Sequence, residues 1–428
     1  MKYWRLFSQS HNVTKDGLSR YAKNTGWIFI GKFSNMAVGF LATLFVARSL
    51  GPTNYGELSY GLSFIALFSF IASLGIDSIL YRELIKYPEK KNLLLGTAVG
   101  IKLRAAIFTT LITIISAWWF SSPDVSLILI CILSTTFIFQ IFGIISYEFG
   151  AAVNNKPVSL LSFAVTTIIN TLKIIIVFFG KGVIYLAILV VIETLLYAIG
   201  YLYIRYKVFG SFTLWQFDYN IAKRLLLDSW PFIFISAFSV IYARIDQVMI
   251  KNMINATEVG IYDAAVRLTE LWYFIPAIIV GSLFPAIVNA KKTNDYTYRK
   301  RVFSLITLLC LLTIIIASLV SLLAEPIVRI VFGTGFVESI PVLQTYIWAL
   351  VPISLGVAAQ HYLLAENARL TLFSMSLIGM MLNVAGNFLL IPQHQALGAA
   401  TATLISSSAI IVFVCIMYLL QKINTVVR

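Results

Sequence analysis

The sequence predicts an all-α polytopic membrane protein, with twelve transmembrane helices in two six-helix lobes related by a pseudo-two-fold axis along the membrane normal. Three observations predict it: the composition, the spacing of long apolar runs, and a one-sided distribution of basic residues. Of 428 residues, 59% are apolar or aromatic and only 12% are charged. Mean hydropathy is +0.89. A soluble domain carries roughly 45–50% apolar and about 25% charged residues. Too few polar side chains remain here to solvate a surface, which excludes a water-soluble enzyme and a disordered chain. It also excludes a nucleic-acid-binding domain, despite a net charge of +14.

Each spanning helix needs about 20 mostly apolar residues. Residues 1–23 are polar and basic. The apolar run after them, 24–47, is too long for the core of a cleaved signal peptide and has no small-residue cleavage site, so it reads as a retained first span. Span 2 lies at 58–76. Span 3, at 97–120, has Lys102 and Arg104 at its foot and Trp118 and Trp119 at its far end, where aromatic anchors belong. Spans 4, 5 and 6 follow at 126–147, 158–179 and 184–204. The longest internal polar connector, about 205–230, then separates the halves, with Trp215 and Trp230 as further interfacial anchors. Domain limits are accordingly placed at 1–206, a linker at 207–230, and 231–428. Spans 7 and 8 lie at 231–250 and 261–289, and Pro276 and Pro285 make span 8 the expected bent element. Span 9 is 302–323, and an outer loop of about 324–340 precedes spans 10 to 12 at 341–363, 370–391 and 397–420.

Orientation follows from Lys and Arg. Of 32 such residues, 24 fall on the side of the N-terminus, and only Arg48, Lys181, Lys251 and Arg329 fall on the other. That bias, with an even number of spans, places both termini in the cytoplasm. The basic balance is thus mainly a topology signal, with attraction to anionic membrane lipids as a secondary effect.

The remaining charges lie inside spans, where each costs roughly 2.5–3.5 kcal/mol on insertion scales and tends to face a partner or a wet cavity. They are Lys32 in span 1, Lys173 in span 5, Glu193 in span 6, Arg244 and Asp246 in span 7, and Asp263, Arg267 and Glu270 in span 8. Asp263, Arg267 and Glu270 follow i, i+4, i+7 spacing and share one helix face, so Arg267 has carboxylates on its own helix. Arg244 and Asp246 diverge, and each needs a partner elsewhere. Lys32 and Arg244 have no opposite charge at helical spacing. As unpaired cations on the first helix of each half they predict a cationic cleft for a phosphate or diphosphate group, with Arg267 and Lys173 as further members. Glu193, Asp246 and Glu270 are candidates for protonation or cation coupling, with plain internal pairing as the alternative.

Two segments on either side of the central connector resemble each other. Leu50-Gly51-Pro52-Thr53-Asn54-Tyr55-Gly56-Glu57-Leu58-Ser59-Tyr60 parallels Ile254-Asn255-Ala256-Thr257-Glu258-Val259-Gly260-Ile261-Tyr262-Asp263-Ala264, and Asn170 parallels Asn383. Six helices per half with the same sidedness make this a parallel repeat, an architecture of transporters.

Other patterns carry no chemistry. Gly26 to Lys32 has the spacing of a phosphate-binding loop, but Phe33 stands where Ser or Thr is required, and no strand precedes it. The chain therefore carries no nucleotide-hydrolysing site of its own. Cys131, Cys310 and Cys415 are scattered in apolar runs, and His11, His361 and His394 are too far apart to define a metal site. No cofactor is expected.

Trp27 and Lys32, the run Ala47-Arg48-Ser49-Leu50-Gly51-Pro52 with Tyr55-Gly56, and Leu74-Gly75-Ile76 together resemble the opening of bacterial polysaccharide-biosynthesis flippases. These are O-antigen repeat-unit translocases of the multidrug/oligosaccharidyl-lipid/polysaccharide exporter superfamily. Arg244-Ile245-Asp246-Gln247, with Val259-Gly260-Ile261-Tyr262-Asp263-Ala264-Ala265, resembles that family's second-lobe signature. The resemblance implies alternating access and movement of a polyprenyl-pyrophosphate-linked oligosaccharide from the cytoplasmic to the outer leaflet of the bacterial inner membrane. It also implies cationic residues lining the cavity. With no nucleotide site, the drive would come from a proton or sodium gradient or from consumption of the product outside, and a glycan polymerase is a candidate partner. The nearest rival is a drug/cation antiporter of the same superfamily, which favours acidic cavities. A membrane-embedded glycan polymerase or ligase, which would be an enzyme, needs a larger outer loop than 324–340 provides.

Overall fold

The computed structural model describes residues 15–120, 124–210, 216–366 and 368–426. The basic N-terminal tail up to residue 14, with His11, and the expected anchor Trp215 lie outside the described residues. Among the described residues the secondary structure is helical throughout. The helices are α1 (Lys15–Ser73), α2 (Ile76–Lys86), α3 (Lys91–Phe120), α4 (Val125–Ala151), α5 (Lys156–Phe178), α6 (Val183–Phe209), α7 (Tyr219–Met253) and α8 (Ala256–Ala290). They continue with α9 (Asp295–Leu322), α10 (Ala324–Val331), α11 (Ser339–Leu364) and α12 (Arg369–Val426).

Ten of these helical stretches are long and apolar enough to cross a membrane. Two are double length: the apolar parts of α1 and α12 run to 52 and 48 residues. At 1.5 Å per residue each is more than twice the roughly 30 Å hydrocarbon thickness. Each is broken at one residue. In α1 the break is Gly51 (φ 71, ψ 171), followed by Pro52, which has no N–H to give the preceding turn and starts the next helix. In α12 it is Gln395 (φ 53, ψ −132), three residues after Pro392. A Cβ at Gly398 would run into the Leu390 carbonyl, so this turn closes only with glycine there. Counting both halves of each gives the twelve spans expected, and the chain is a multi-pass membrane protein.

The helices outrun the apolar cores that the sequence marks. The second half of α1 begins at Pro52 rather than 58, and α7 begins at Tyr219 rather than 231. Polar turns extend these helices beyond the hydrocarbon, where hydropathy does not register them. Most of the expected 207–230 linker is therefore helix, and only the stretch between α6 and α7 connects. The outer loop of 324–340 is likewise structured, holding α10 and a turn at Gly333 (φ 86). In α8 a 3-10 turn at Leu271–Tyr273 interrupts the helix one turn before Pro276, whose ring and missing N–H disturb that turn.

Helix starts are marked by short polar caps. Asp124, Asn255 and Asn294 each accept from a backbone N–H of the first turn at 2.9 Å. Large apolar side chains stand exposed around the outside, among them Trp118, Trp119 and Phe120 at the end of α3 and Trp230 on α7. An exterior this apolar is stable against lipid.

By contacts the chain divides into two units, Met1–Leu50 with Phe64–Ala237, and Gly51–Ser63 with Phe238–Arg428. Two features of this division are not in the expected domain limits: the motif 51–63 joins the second unit, and the first part of α7, up to Ala237, stays with the first. In the first unit, Ile76, Leu80 and Leu84 of α2 pack with Leu94, Leu95 and Ala98 of α3. Arg205 is buried there against Glu148 at 2.8 Å, with Asn92 on its other nitrogen at 2.9 Å. In the second unit, Val280 and Ile287 of α8 meet Leu305 and Leu309 of α9 and Ala358 of α11.

Candidate functional site

The polar groups of the second unit gather where α7, α8, α12 and the segment 51–63 meet. The two segments that resemble each other in sequence pack directly together. Thr53 and Thr257 share a hydrogen bond at 2.8 Å. A Cβ on Gly56 would overlap the Ala256 carbonyl, and one on Gly260 would overlap the Pro52 carbonyl. These contacts exchange under the sequence correspondence: Gly56 on Ala256 is the counterpart of Gly260 on Pro52. The crossing is therefore locally two-fold, and the absence of side chains at both glycines lets the backbones touch.

This close approach brings hydroxyl groups to a buried carboxylate. Asp263 accepts from Tyr55 Oη at 2.5 Å, Ser59 Oγ at 3.0 Å and Gln247 Nε2 at 2.7 Å, and pairs with Arg267 Nε at 3.3 Å. Ser63 Oγ in turn donates to Gln247 Oε1. Lys251 Nζ pairs with Glu57 at 2.5 Å on the same segment. A fully buried carboxylate is tolerable only with this many donors.

Asp246, one turn along α7 from Met249 and Ile250, occupies a second pocket. Tyr262 Oη donates to it, as do Asn387 Nδ2 at 2.5 Å and Thr403 Oγ1 at 2.9 Å. Asn387 Nδ2 also reaches Asn383 Oδ1 at 3.2 Å, and Asn383 Nδ2 reaches Thr403 at 3.2 Å. Asn387 Oδ1 is buried beside the carboxylate with no hydrogen-bond partner. Asp246 forms no ion pair among the described residues. The pocket is a closed cluster of oxygen and amide groups around one buried acid.

The expected cations take different positions. Arg267 pairs with Asp263, as the i, i+4 spacing predicts. Arg244 is not the unpaired cation that the sequence suggests: its Nη2 lies 3.5 Å from Glu270 Oε1, because Glu270 on α8 turns to α7 instead of to Arg267. Helical spacing considers neighbours on one helix and misses a partner on the next. Lys173 likewise meets Glu193 at 2.9 Å between α5 and α6. Lys32 is exposed on α1, next in sequence to Phe33, without an ion pair among the described residues.

Sequence reasoning missed Tyr55, Ser59, Tyr262, Asn387 and Thr403. The one available signal was Asn383 and Asn387, two amides spaced i, i+4 in an apolar run. Asn170, the expected counterpart of Asn383, instead bonds its own helix at the Thr166 carbonyl, 2.8 Å away. His361 is packed, with Nδ1 on the Val357 carbonyl and its ring against Phe284.

The capsular polysaccharide biosynthesis protein CapF of Staphylococcus aureus is 22% identical over 90% of this chain and 96% of its own length. The succinoglycan biosynthesis transport protein ExoT of Rhizobium meliloti is 21% identical over 75% of this chain and 64% of its own. The fold is that of the lipid II flippase MurJ in an inward closed conformation, with a TM-score of 0.72 at 16% identity, covering 91% of this chain and 86% of that one. It is equally that of an inward-facing multidrug resistance MATE transporter of the MOP superfamily, with a TM-score of 0.69 at 11% identity over 91% and 94% of the two chains. The family described as polysaccharide biosynthesis protein matches residues 21–291. This chain, a multi-pass helical membrane protein with the fold of those transporters, belongs to that polysaccharide biosynthesis protein family.

Proposed function

We propose that the chain flips a polyprenyl-diphosphate-linked oligosaccharide, the repeat unit of an O-antigen, capsule or related polysaccharide, across the bacterial cytoplasmic membrane by alternating access. Both termini lie in the cytoplasm, and the unit delivered outside is the substrate of a glycan polymerase. The observation that carries this reading is that two guanidinium groups, Arg244 and Arg267, are kept partly exposed within spans of a fold shared with a lipid II flippase. Guanidinium presents a fork of donors matched to phosphate oxygens. Lys32, an exposed cation within span 1, is a further candidate for phosphate binding. Lys173 adds no net charge, being neutralised by Glu193.

Carrying a sugar through hydrocarbon strips water from many hydroxyls, at several kcal/mol each without replacement hydrogen bonds. A polar path through the protein removes that cost while the polyprenyl chain stays in lipid. Asp246 serves as the coupling site for a proton or a sodium ion. The unpartnered Asn387 Oδ1, the Asn383 amide and the Thr403 hydroxyl around it supply oxygens of the kind that hold such ions in transporters.

The test is transfer of a lipid-linked oligosaccharide in vesicles containing the purified protein, alongside deletion of its gene. Transfer lost with the protein, and lost again in Lys32→Ala or Arg244→Ala that fold normally, is the expected result. Lipid-linked units reaching the outer leaflet at normal rates in the deletion strain would refute the proposal. Protection of the host against cationic drugs, without any glycan defect, would favour the antiporter reading instead.

A further inference from the structure

Within the spans, the described ion pair Arg244–Glu270 is held less closely than Arg205–Glu148 or Arg267–Asp263. Arg205 and Glu148 lie at 2.8 Å with 2% and 0% of their side chains exposed, and Asn92 holds the guanidinium from the other side. Asp263, which takes Arg267, is closed in by Tyr55, Ser59 and Gln247. In both pairs the carboxylate is held in place. Arg244 and Glu270 touch through a single Nη2–Oε1 approach of 3.5 Å, with 27% and 29% of their side chains exposed. Among the described residues Arg244 makes no hydrogen bond of ordinary length. A guanidinium has five N–H donors and a preference for bidentate partners, so most of its capacity is unspent.

The surrounding charges give this loose pair a meaning. Asp263, Arg267, Arg244 and Glu270 are two anions and two cations whose formal charges cancel, so an entering anion must displace a carboxylate to gain a guanidinium in full. Asp263 is fixed by its donors, whereas among the described residues Glu270 is held by the single approach of Arg244, with the charge of Arg267 nearby. From this we infer that Glu270 is an internal stand-in for the substrate's phosphate: it occupies Arg244 between cycles, yields it to an entering diphosphate, and takes it back to expel the product. A diphosphate offers oxygens on two tetrahedral centres and satisfies the fork bidentately, which one distant carboxylate oxygen does not. Glu270 is thus a specificity-determining residue. It makes the site refuse single carboxylates and weak anions and admit only a ligand able to outcompete it.

The inference rests on the diphosphate reading of Arg244, and the experiment separates the two. The probe is farnesyl pyrophosphate, with farnesol as a neutral control, titrated onto the purified full-length protein in detergent. Glu270→Gln removes the competing charge and keeps the shape. It is expected to bind farnesyl pyrophosphate about tenfold more tightly than the wild type, the effect of roughly 1.4 kcal/mol of relieved competition. The same variant is expected to lower the turnover of lipid-linked oligosaccharide in vesicles, because release slows. Arg244→Gln is expected to abolish the tight component in either background. A structural defect would not produce tighter binding, so a gain of affinity is specific to competition. If Arg244→Gln weakens binding but Glu270→Gln leaves it unchanged or weaker, the stand-in role of Glu270 is overturned while the anion site stands. If Arg244→Gln binds farnesyl pyrophosphate as the wild type does, the anion site itself is wrong, and the role of Glu270 falls with it.

Discussion

Replacing Tyr55 by Phe removes one hydroxyl and nothing else from the Asp263 network. The deleted bond is a 2.5 Å donation to a fully buried carboxylate. Hydrogen bonds to charged groups are worth about 1.5–3 kcal/mol. Three other donors, Ser59, Gln247 and Arg267, still serve Asp263. The loss therefore belongs near the middle of that range, about 2 kcal/mol. Asp263→Asn alone should cost more, because it leaves Arg267 without its counter-charge; Arg267 is a third exposed, which moderates the penalty. In the double variant the Tyr55 hydroxyl no longer has an anion to serve. A double-mutant cycle should accordingly return a coupling of at least about 1 kcal/mol. The assay is reversible unfolding in mixed micelles, followed by tryptophan fluorescence. Additivity of the two substitutions to within about 0.3–0.5 kcal/mol would mean that the segment 51–63 is not tied to α8 through this carboxylate, and the reasoning would fail.

Gly56→Ala and Gly260→Ala should each destabilise the protein by about 1–3 kcal/mol, the cost of overpacking, in the same unfolding assay. Each new methyl group meets a backbone carbonyl, so neither neighbour can rotate away. Asp246→Asn should leave the protein folded and able to bind farnesyl pyrophosphate but make vesicle transport insensitive to imposed proton and sodium gradients; retained ion dependence would remove Asp246 from coupling. Lys173→Met should lower the yield of folded protein, because it strands Glu193 in a span, and adding Glu193→Gln should restore it. Failure of the second change to rescue the first would show that the pair is more than mutual neutralisation.

Much of the fold was open to reading from the residues because the bilayer imposes lengths. Runs of about 20 apolar residues admit only one structure, and the two double-length helices read as four spans because their apolar runs break at 48–57 and at 392–396. Helix ends were less legible: polar turns such as Tyr219–Trp230 continue a helix that hydropathy has already ended. At the site, charge was the legible signal. Asp246, Arg244 and Glu270 stood out because ions in spans are costly, but their partners did not. Asn387 and Thr403 lie 141 and 157 residues from Asp246 and are uncharged. Asp263 was read as a partner of Arg267 alone, since nothing local announces that Tyr55, 208 residues earlier, closes over it. The placement of 51–63 with the second unit was hidden for the same reason: chain order suggests one side, and long-range hydrogen bonds decide the other.

The reciprocal glycine crossing sets a rule on how this sequence can change over time. One residue inserted between Pro52 and Gly56 would swing Ser59 about 100° around its helix and carry it off Asp263, while Gly56 would no longer face Ala256. The same insertion between Ala256 and Asp263 would do equal damage. Lengths inside the two motifs are thus bound to each other, and neither can drift by a single position unless its twin shifts to match. The stretches just outside carry no such bond, so variation in length among relatives should collect there and spare the spacing of Pro52 and Gly56 and of Ala256 and Gly260, where the backbones touch.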